Sequence, residues 1–417
     1  MVERTDHSGD RKLNRNSIKG RDIIVVGQQP WDTEIGSNCK NIALEFSKNN
    51  RVLYVNSPLD RITLWRNKQE PKTSKRLAII KGKEDGLVHI QHNIWNFYPD
   101  CMVESINWIS NTKIFNFFNK LNNRKLAYSI QKAIKELGFK DFILFNDNEI
   151  FKGFFLKDFL KPAVSIYYSR DYMVAVDYWK KHGVQLEPEL IAKNDLCVAN
   201  STFLAEYCGQ FNPNSFDVGQ GCDLDIFVEN KVKKAPMDLT TIKGPVVGYV
   251  GALQSIRLDR DIIAHIASLR PQWTIVLVGP EDELFKMSNL HQFENVLFTG
   301  SKPISELPDY INFFDVCINP QLINEVTIGN YPRKIDEYLA IGKPVVATAT
   351  KAMETFSDFV YLAQNKEEYI LLIEKALKEN SKVKEQERRE FALEHTWENS
   401  VAKIYGALNN YNNKYSF

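Results

Sequence analysis

The chain has 417 residues, 44% hydrophobic and 25% charged, with a formal net charge of +1. That length exceeds one comfortable hydrophobic core and points to two domains. The charge balance speaks against a dedicated nucleic-acid binder, which would be basic overall.

Six scattered cysteines (Cys39, Cys101, Cys197, Cys208, Cys222, Cys317) make no C-x-x-C pair and have no histidine at ligand spacing. A disulfide framework or structural zinc is therefore not expected, and a reducing cytoplasm fits. No apolar run reaches the length needed to cross a bilayer, and no signal-peptide core opens the chain. Residues 1–20 are polar and mixed in charge, and are expected to form a disordered lead-in.

From there short β-rich runs alternate with helical patterns, the mark of parallel sheets covered by helices. The strands predicted in the first half are Ile23–Gly27, Arg51–Asn56, Leu87–Gln91, Asp141–Asn146, Val164–Tyr168, Leu196–Asn200 and Ser215–Gly219. Glu229–Gly244 is charged, carries Pro236 and ends on glycine, and reads as an interdomain linker. The second half restarts with Pro245–Gly251, followed by Trp273–Val278, Val296–Thr299, Val316–Asn319, Val345–Thr348 and Phe359–Leu362. The expected class is α/β: two doubly wound, Rossmann-like domains over residues 21–228 and 245–395, facing across a cleft at the carboxyl ends of their strands.

The loop after the first strand, Gly27–Asn38, offers Gln28, Gln29, Trp31 and Asp32 to a hydroxyl-rich ligand, and Gly36-Ser37 opens the next helix. Trp31 serves simple packing equally well. Arg61–Arg76 holds six basic residues, one acid and Trp65, while Ile114, Phe117, Phe118 and Leu121 make a helical stripe flanked by Lys113, Lys120 and Arg124. Such a face suits an anionic membrane interface, or else it is ordinary core with solvated lysines. Tyr167–Tyr172 (Y-Y-S-R-D-Y) places Arg170 and Asp171 just past a buried strand, where a carboxylate can orient or deprotonate a hydroxyl. Asp223-Leu224-Asp225 has the letters of a D-x-D metal motif but sits where a turn or cap is expected, so no metal is assigned.

In the second half, Gly251 in Gly248–Asp259 lets backbone approach a ligand, and Arg257 can reach a phosphate. No acidic residue ends the next strand, which runs into Gly279-Pro280; this argues against a dinucleotide oxidoreductase. Asn330–Thr348 reads as a loop, a helix opened by Pro332, a Gly342 stop and a buried strand. The helix start can bind an anion, and Lys334 adds a full charge. Glu337 lies five residues past Pro332, about 7.5 Å along the axis, roughly the span from a pyrophosphate to a ribose. The competing reading is a surface Arg333–Glu337 pair at i,i+4.

These segments together resemble the GT-B nucleotide-sugar glycosyltransferases, most closely family four and the related capsule, teichuronic-acid and exopolysaccharide transferases. The resemblance rests on G-Y-V-G-A-L (Gly248–Leu253), I-V-L-V-G-P (Ile275–Pro280), N-V-L-F-T-G (Asn295–Gly300), Leu307–Pro320 and P-x-K-x-x-E-Y-L-A-x-G-K-P-V-V (Pro332–Val346). It is looser in the first half, through V-V-G-Q-Q-P-W, V-L-Y-V-N, Y-Y-S-R-D-Y and Asp195–Leu204. It implies a UDP- or GDP-linked sugar bound by the C-terminal domain at Gly251, Arg257, Gly279, Pro280, Asn330, Arg333, Lys334 and Glu337. Lys334 would meet the diphosphate and Glu337 the ribose, with the base against Val278–Glu281 and near Pro303–Ile304. The acceptor, a glycan or lipid-linked glycan, would lie by Gln28, Gln29, Trp31, Asp32, Gly36 and Arg170, with Asp171 catalytic. Residues 396–417 would form a helix crossing back to the first domain.

The chain departs from the family where Ala252 follows the loop glycine, leaving Arg257 as the available cation, and where Gly329 stands eight residues before Glu337, with Glu325 off register. Retention and inversion both stay open. The resemblance implies a metal-independent transferase of cell-surface polysaccharide synthesis, cytoplasmic and at the inner face of the membrane. The rival readings are a sugar-nucleotide epimerase of similar fold and a non-catalytic sugar-nucleotide-binding module.

Overall fold

The structure is a computed structural model that describes residues 17–32, 37–228 and 235–415. Most of the expected lead-in (residues 1–16), Gly36, and residues 229–234 of the expected linker lie outside the described residues. The chain forms two compact units, one from residues up to Gly219 together with Trp397 onward, the other from Gln220–Thr396.

The N-terminal unit contains β1 (Asp22–Gly27), β2 (Arg51–Val55), β3 (Leu59–Asp60), β4 (Leu87–Gln91), β5 (Ile94–Phe97), β6 (Met102–Val103), β7 (Ile143–Asp147), β8 (Val164–Ser169), β9 (Leu196–Ala199) and β10 (Ser215–Asp217). Its main sheet has the order β10-β9-β8-β7-β1-β2-β5-β4, and β3 pairs with β6 apart from it. Strand neighbours in the sheet are parallel except β4, which runs antiparallel to β5. β1 is buried along its length, as a strand covered on both faces must be. Its alternate side chains part to two cores. Ile23 and Val25 meet Ile42 and Phe46 of helix Asn38–Ser47 and Val401, Ile404 and Leu408 of the C-terminal helix Trp397–Tyr415. Ile24 and Val26 meet Leu126, Ala127 and Ile130 of helix Thr112–Leu137.

The expected strand Leu87–Gln91 is present as an exposed outer strand, and Ile94–Phe97 is a strand additional to those expected. The strand that pairs with β2 is Ile94–Phe97, reached through a tight turn with His92 at φ 45°. The division between units also falls earlier than the charged linker suggested. Cys222, Leu224, Phe227 and Leu239 bury themselves among Ile335, Leu339 and Ile341, so residues 220–228 belong with the C-terminal unit.

The C-terminal unit contains β11 (Val246–Val250), β12 (Thr274–Val278), β13 (Val296–Gly300), β14 (Val316–Asn319), β15 (Val345–Thr348) and β16 (Tyr361–Ala363), all parallel. Their order, β13-β12-β11-β14-β15-β16, is the doubly wound 3-2-1-4-5-6 arrangement. The winding direction reverses between β11 and β14, and the loops leaving those two strands part to opposite faces and open a crevice.

Candidate functional site

At that crevice three segments of the C-terminal unit meet. The loop after β11 is zipped to the loop after β12. Gly251 N–H donates to Val278 O at 2.9 Å, Leu253 N–H to Pro280 O at 2.8 Å, and Asp282 N–H to Leu253 O at 3.0 Å. Gly251 has φ +141°, and a Cβ on Gly279 would stand 2.0 Å from Gly251 O. Only glycine at both positions lets the two loops close on each other. A Cβ on Gly251 would also stand 2.9 Å from Lys334 Nζ, so the bare backbone is the wall behind that ammonium group.

The third segment is the helix Lys334–Ile341, ended by Gly342 at φ +89°. It begins two residues later than Pro332; the proline carbonyl instead accepts Ile335 N–H at 2.9 Å. Lys334 is thus the first helical residue, and Glu337 sits on the next turn of the same face, about 4.5 Å along the axis.

Lys334 Nζ donates to Tyr249 OH and lies 4.1 Å from the centre of its ring. Tyr249 was not singled out in the sequence; its place on β11, two residues before Gly251, was the available signal. Arg333 and Glu337 form no ion pair among the described residues, so the surface-pair reading is not what the structure contains. Arg333 Nε is buried without a hydrogen-bond partner. Glu337 has no hydrogen bond through its carboxylate among the described residues. Burial pushes its pKa above the usual carboxylate range, against the opposing pull of Arg333 and Lys334. An unpaired carboxylate beside two cations and a glycine wall can accept ligand hydroxyls while the cations meet an anion.

Between them on the helix, Asp336 is fully buried. Its carboxylate meets His395 Nδ1 at 2.6 Å and accepts from Cys222 Sγ at 3.3 Å. Tyr338 OH accepts Val250 N–H at 2.8 Å and so ties the same helix to the end of β11. These anchors, invisible as a sequence motif, fix where Lys334 and Glu337 stand.

Arg257 and Asn330 lie further out. The Arg257 carbonyl accepts Leu322 N–H at 2.8 Å from the loop after β14, and its exposed side chain forms no hydrogen bond or ion pair among the described residues. Asn330 N–H donates to Thr327 O at 3.1 Å within that loop, which Asn324 Oδ1 shapes by accepting from Val326 and Thr327. No hydrogen bond joins Arg257 or Asn330 to Lys334 or Glu337 among the described residues. Pro280 stands in the zipped loop, and Pro303 precedes the exposed Ile304 at the turn after β13.

In the N-terminal unit the sheet reverses between β1 and β7. Gln28 Nε2 bridges that point to Asn148 O at 2.6 Å. Asn148, at φ 53°, accepts the N–H groups of Arg170 and Asp171 on one side-chain oxygen, at 3.1 and 3.0 Å. Arg170 spans two carboxylates, with Nε to Asp147 Oδ1 at 3.0 Å and NH1 to Asp171 Oδ2 at 2.8 Å. Asp147 is wholly buried and Asp171 half-exposed. Burial pushes the Asp147 carboxyl up, opposed by the Arg170 guanidinium. Asp147 and Asn148 were missed in the sequence, although N-D-N-E ending a buried strand is an unusual polar run.

Gln29, Trp31 and Asp32 form a neighbouring group. Gln29 O accepts from Tyr54 OH at 2.6 Å, Trp31 packs edge-on to Tyr54 at 5.1 Å under Lys40, and Asp32 faces Arg76 at 3.8 Å. Trp31 therefore has the packing role at least. Gly36 lies outside the described residues. Of Asp223-Leu224-Asp225, Leu224 is core and Asp225 opens the short helix Asp225–Val228, which is the turn-and-cap reading. Among the described residues no three of His, Cys, Asp and Glu are grouped to hold a metal ion.

Residues 244–379, within the C-terminal unit, match the family model described as "Glycosyl transferases group 1". Over 187 residues the chain is 30% identical to TuaH of Bacillus subtilis (strain 168), a provisionally named teichuronic acid biosynthesis glycosyltransferase. That match covers 43% of this chain and 47% of TuaH, about half its length. The structure of Anabaena HepE in complex with UDP aligns with a TM-score of 0.62 at 15% identity, covering 93% of this chain and all of that one. Sucrose-phosphate synthase from Thermosynechococcus elongatus aligns at 0.60 and 13% identity, covering 94% and 98%. At such identities the likeness is one of fold, and the fold is GT-B, as the sequence resemblance implied.

Proposed function

We propose that this chain, with its group 1 match and GT-B fold, is a glycosyltransferase that moves one sugar from a nucleotide-sugar donor to a glycan acceptor in cell-surface polysaccharide synthesis. The observation that carries the reading is the trio at the reversal point of the C-terminal sheet: a side-chain-free wall at Gly251, the Lys334 ammonium, and the unpaired Glu337 carboxylate one turn on. A nucleoside diphosphate sugar presents the matching groups, with pyrophosphate for Lys334 and Arg333 and ribose hydroxyls for Glu337.

In this reaction the bond from the anomeric carbon to the diphosphate breaks as the acceptor oxygen bonds to that carbon. Negative charge grows on the leaving diphosphate, and fixed cations near a helix start stabilise it. The acceptor hydroxyl gives up its proton, and the proposal assigns Asp171, half-exposed and held by Arg170, to orient that hydroxyl or receive the proton. HepE is described in complexes with UDP and with UDP-glucose, and TuaH with teichuronic acid biosynthesis. They support a UDP-linked donor and an acceptor on a growing polymer; that the polymer is carried by lipid at the inner face of the cell membrane is part of the proposal. No helix among the described residues is long and apolar enough to cross that membrane; the contact proposed is peripheral.

A thermal-shift screen against UDP, GDP, ADP, CMP and their sugars tests the donor half directly, because a bound ligand raises Tm by mass action. A rise with one nucleotide family is expected; no rise with any of them would remove the reading.

A further inference from the structure

The stripe on helix Thr112–Leu137 divided the sequence between core and membrane, and the structure leaves it bare. Ile114, Phe117, Phe118 and Leu121 are all exposed, Phe117 to 63%. The helix is held instead by its other face, through Phe115, Leu126 and Ile130. Two tryptophans extend the bare region, Trp108 at 75% and Trp65 at 81% exposure. Trp108 lies just before the helix start, its Nε1 held to Ser105 O at 3.0 Å.

Trp65 belongs to the short helix Arg61–Arg66, and side-chain contacts tie that helix to the stripe. Arg61 meets Glu104 at 2.5 Å, Lys125 meets the same carboxylate at 3.5 Å, and Ser105 Oγ accepts Ile62 N–H at 3.1 Å. Lys125 stands one turn beyond Leu121 on the stripe, so the two apolar features form one face.

Charge around it is predominantly positive, and its acid Glu104 is engaged by Arg61 and Lys125. Helix positions 112–125 carry Lys113, Lys120, Arg124 and Lys125 with no acid, and Arg61–Arg76 carries six basic residues against Glu70. The whole chain has a net charge of only +1, so this is a local concentration. Large exposed apolar patches on a water-soluble domain mark contact sites. Tryptophan and phenylalanine ringed by lysine and arginine match the headgroup level of an anionic bilayer, where apolar rings enter the acyl boundary and cations meet phosphates. A groove of about 290 Å³ opens beside Phe117 between Lys113 and Lys120, floored by Phe155. Its lining brings two lysines to a space that a phosphate-bearing headgroup can enter.

We infer that this face docks the N-terminal unit on an anionic phospholipid surface, with Trp65, Trp108 and Phe117 entering the interface and Lys113, Lys120 and Arg124 gripping headgroups. This names the surface behind the peripheral contact proposed above and rests on that reading for its purpose, though not for its evidence.

The test is flotation of the purified full chain with vesicles of phosphatidylcholine alone or mixed with phosphatidylglycerol. Each basic side chain at an anionic surface contributes about fivefold in affinity. Lys113→Ala, Lys120→Ala and Arg124→Ala together should therefore weaken binding to the anionic vesicles by about a hundredfold. Trp65→Ser with Phe117→Ser should abolish binding that persists at high salt, and added salt should weaken the native chain. Unchanged Tm and nucleotide affinity in each variant show that they fold. No binding to the anionic vesicles overturns the inference, as does equal binding to both vesicle types untouched by the substitutions. Self-association of the free chain that the same substitutions abolish would assign the face to a second copy and also overturns it. Transfer to a water-soluble acceptor, measured on the same proteins, is expected to survive. Vesicle binding without any transfer would instead fault the enzymatic reading alone.

Discussion

Replacing Lys334 by methionine isolates its charge. Methionine keeps an unbranched stem over the Tyr249 ring and loses only the ammonium group. In the free protein that group spends one hydrogen bond on Tyr249 OH, a contact whose net worth is about 1 kcal/mol or a little more, as the donor is charged. A diphosphate must draw it away and replace that bond with a charge-assisted one to an anion, worth about 1.5–3 kcal/mol. Bare Coulomb attraction at 4 Å would be about 4 kcal/mol at the effective dielectric of a protein surface, but the partly exposed crevice and the competing hydroxyl bring it down. Nucleoside diphosphate affinity should fall by about ten- to a hundredfold. Titration calorimetry measures the affinity, and thermal unfolding shows whether the variant is folded. A folded Lys334→Met protein whose affinity stays within about twofold of the native value, well under 1 kcal/mol, would make the helix start structural only.

Glu337 should make nucleotide binding sensitive to acid. Its folded-state pKa lies above the ordinary range, so lowering the pH protonates it and removes its acceptor oxygens earlier than for a free glutamate. Affinity should drop on acidification while the carboxylate protonates, and Glu337→Gln should be weaker at neutral pH and flat across that window; a native-like pH profile in the variant would remove Glu337 from the ligand. Asp171→Asn should leave nucleotide affinity intact and slow transfer by about a hundred- to ten-thousandfold, the usual worth of a proton-transfer group. Equal transfer rates would leave Asp171 as an ion-pair partner of Arg170. Glu187, buried under Tyr167 and Tyr207, has its pKa pushed up to about 7 by burial, despite their hydrogen bonds. The folded state then holds its proton where the unfolded chain has lost it, so stability falls as pH rises from about 4.5 to about 7, by up to about 3 kcal/mol. Glu187→Gln should flatten that slope in denaturant melts; an unchanged slope would place the effect elsewhere.

The sheet strands that could be read from the sequence are those buried on both faces. Ile23–Gly27 and Val345–Thr348 are runs of β-branched residues bounded by turns, and nothing but a central strand suits them. Ile94–Phe97 escaped because it is short and sits behind a hairpin whose outer strand, with its clearer alternation, drew the assignment. The charged stretch after Val228 hid the true division, since composition marks exposure while Cys222, Leu224 and Phe227 are committed to a core by packing that spans more than a hundred residues.

Within the site, Gly251, Lys334 and Glu337 were legible as local chemistry, a glycine after a strand and charges at a helix start. Tyr249, Asp336 and His395 were not, because they act through partners far apart in sequence, such as the 2.6 Å contact of Asp336 with His395. Asp147 shows the same limit: only the fold brings Arg170 between it and Asp171. The stripe of Ile114, Phe117, Phe118 and Leu121 has a helical period that is the same for core and for membrane, and only the exposures exclude the core.

The central claim is transfer of a sugar from a nucleotide donor to an acceptor. The measurement that bears on it most directly is release of nucleoside diphosphate from the donor that stabilises the protein, followed with and without an acceptor glycan, with the sugar product resolved by mass spectrometry and NMR. The account predicts release that depends on acceptor, a glycan heavier by one sugar, and loss of both in Glu337→Ala. A donor converted to its epimer without any acceptor, or tight donor binding with no turnover across a broad acceptor panel, would contradict it.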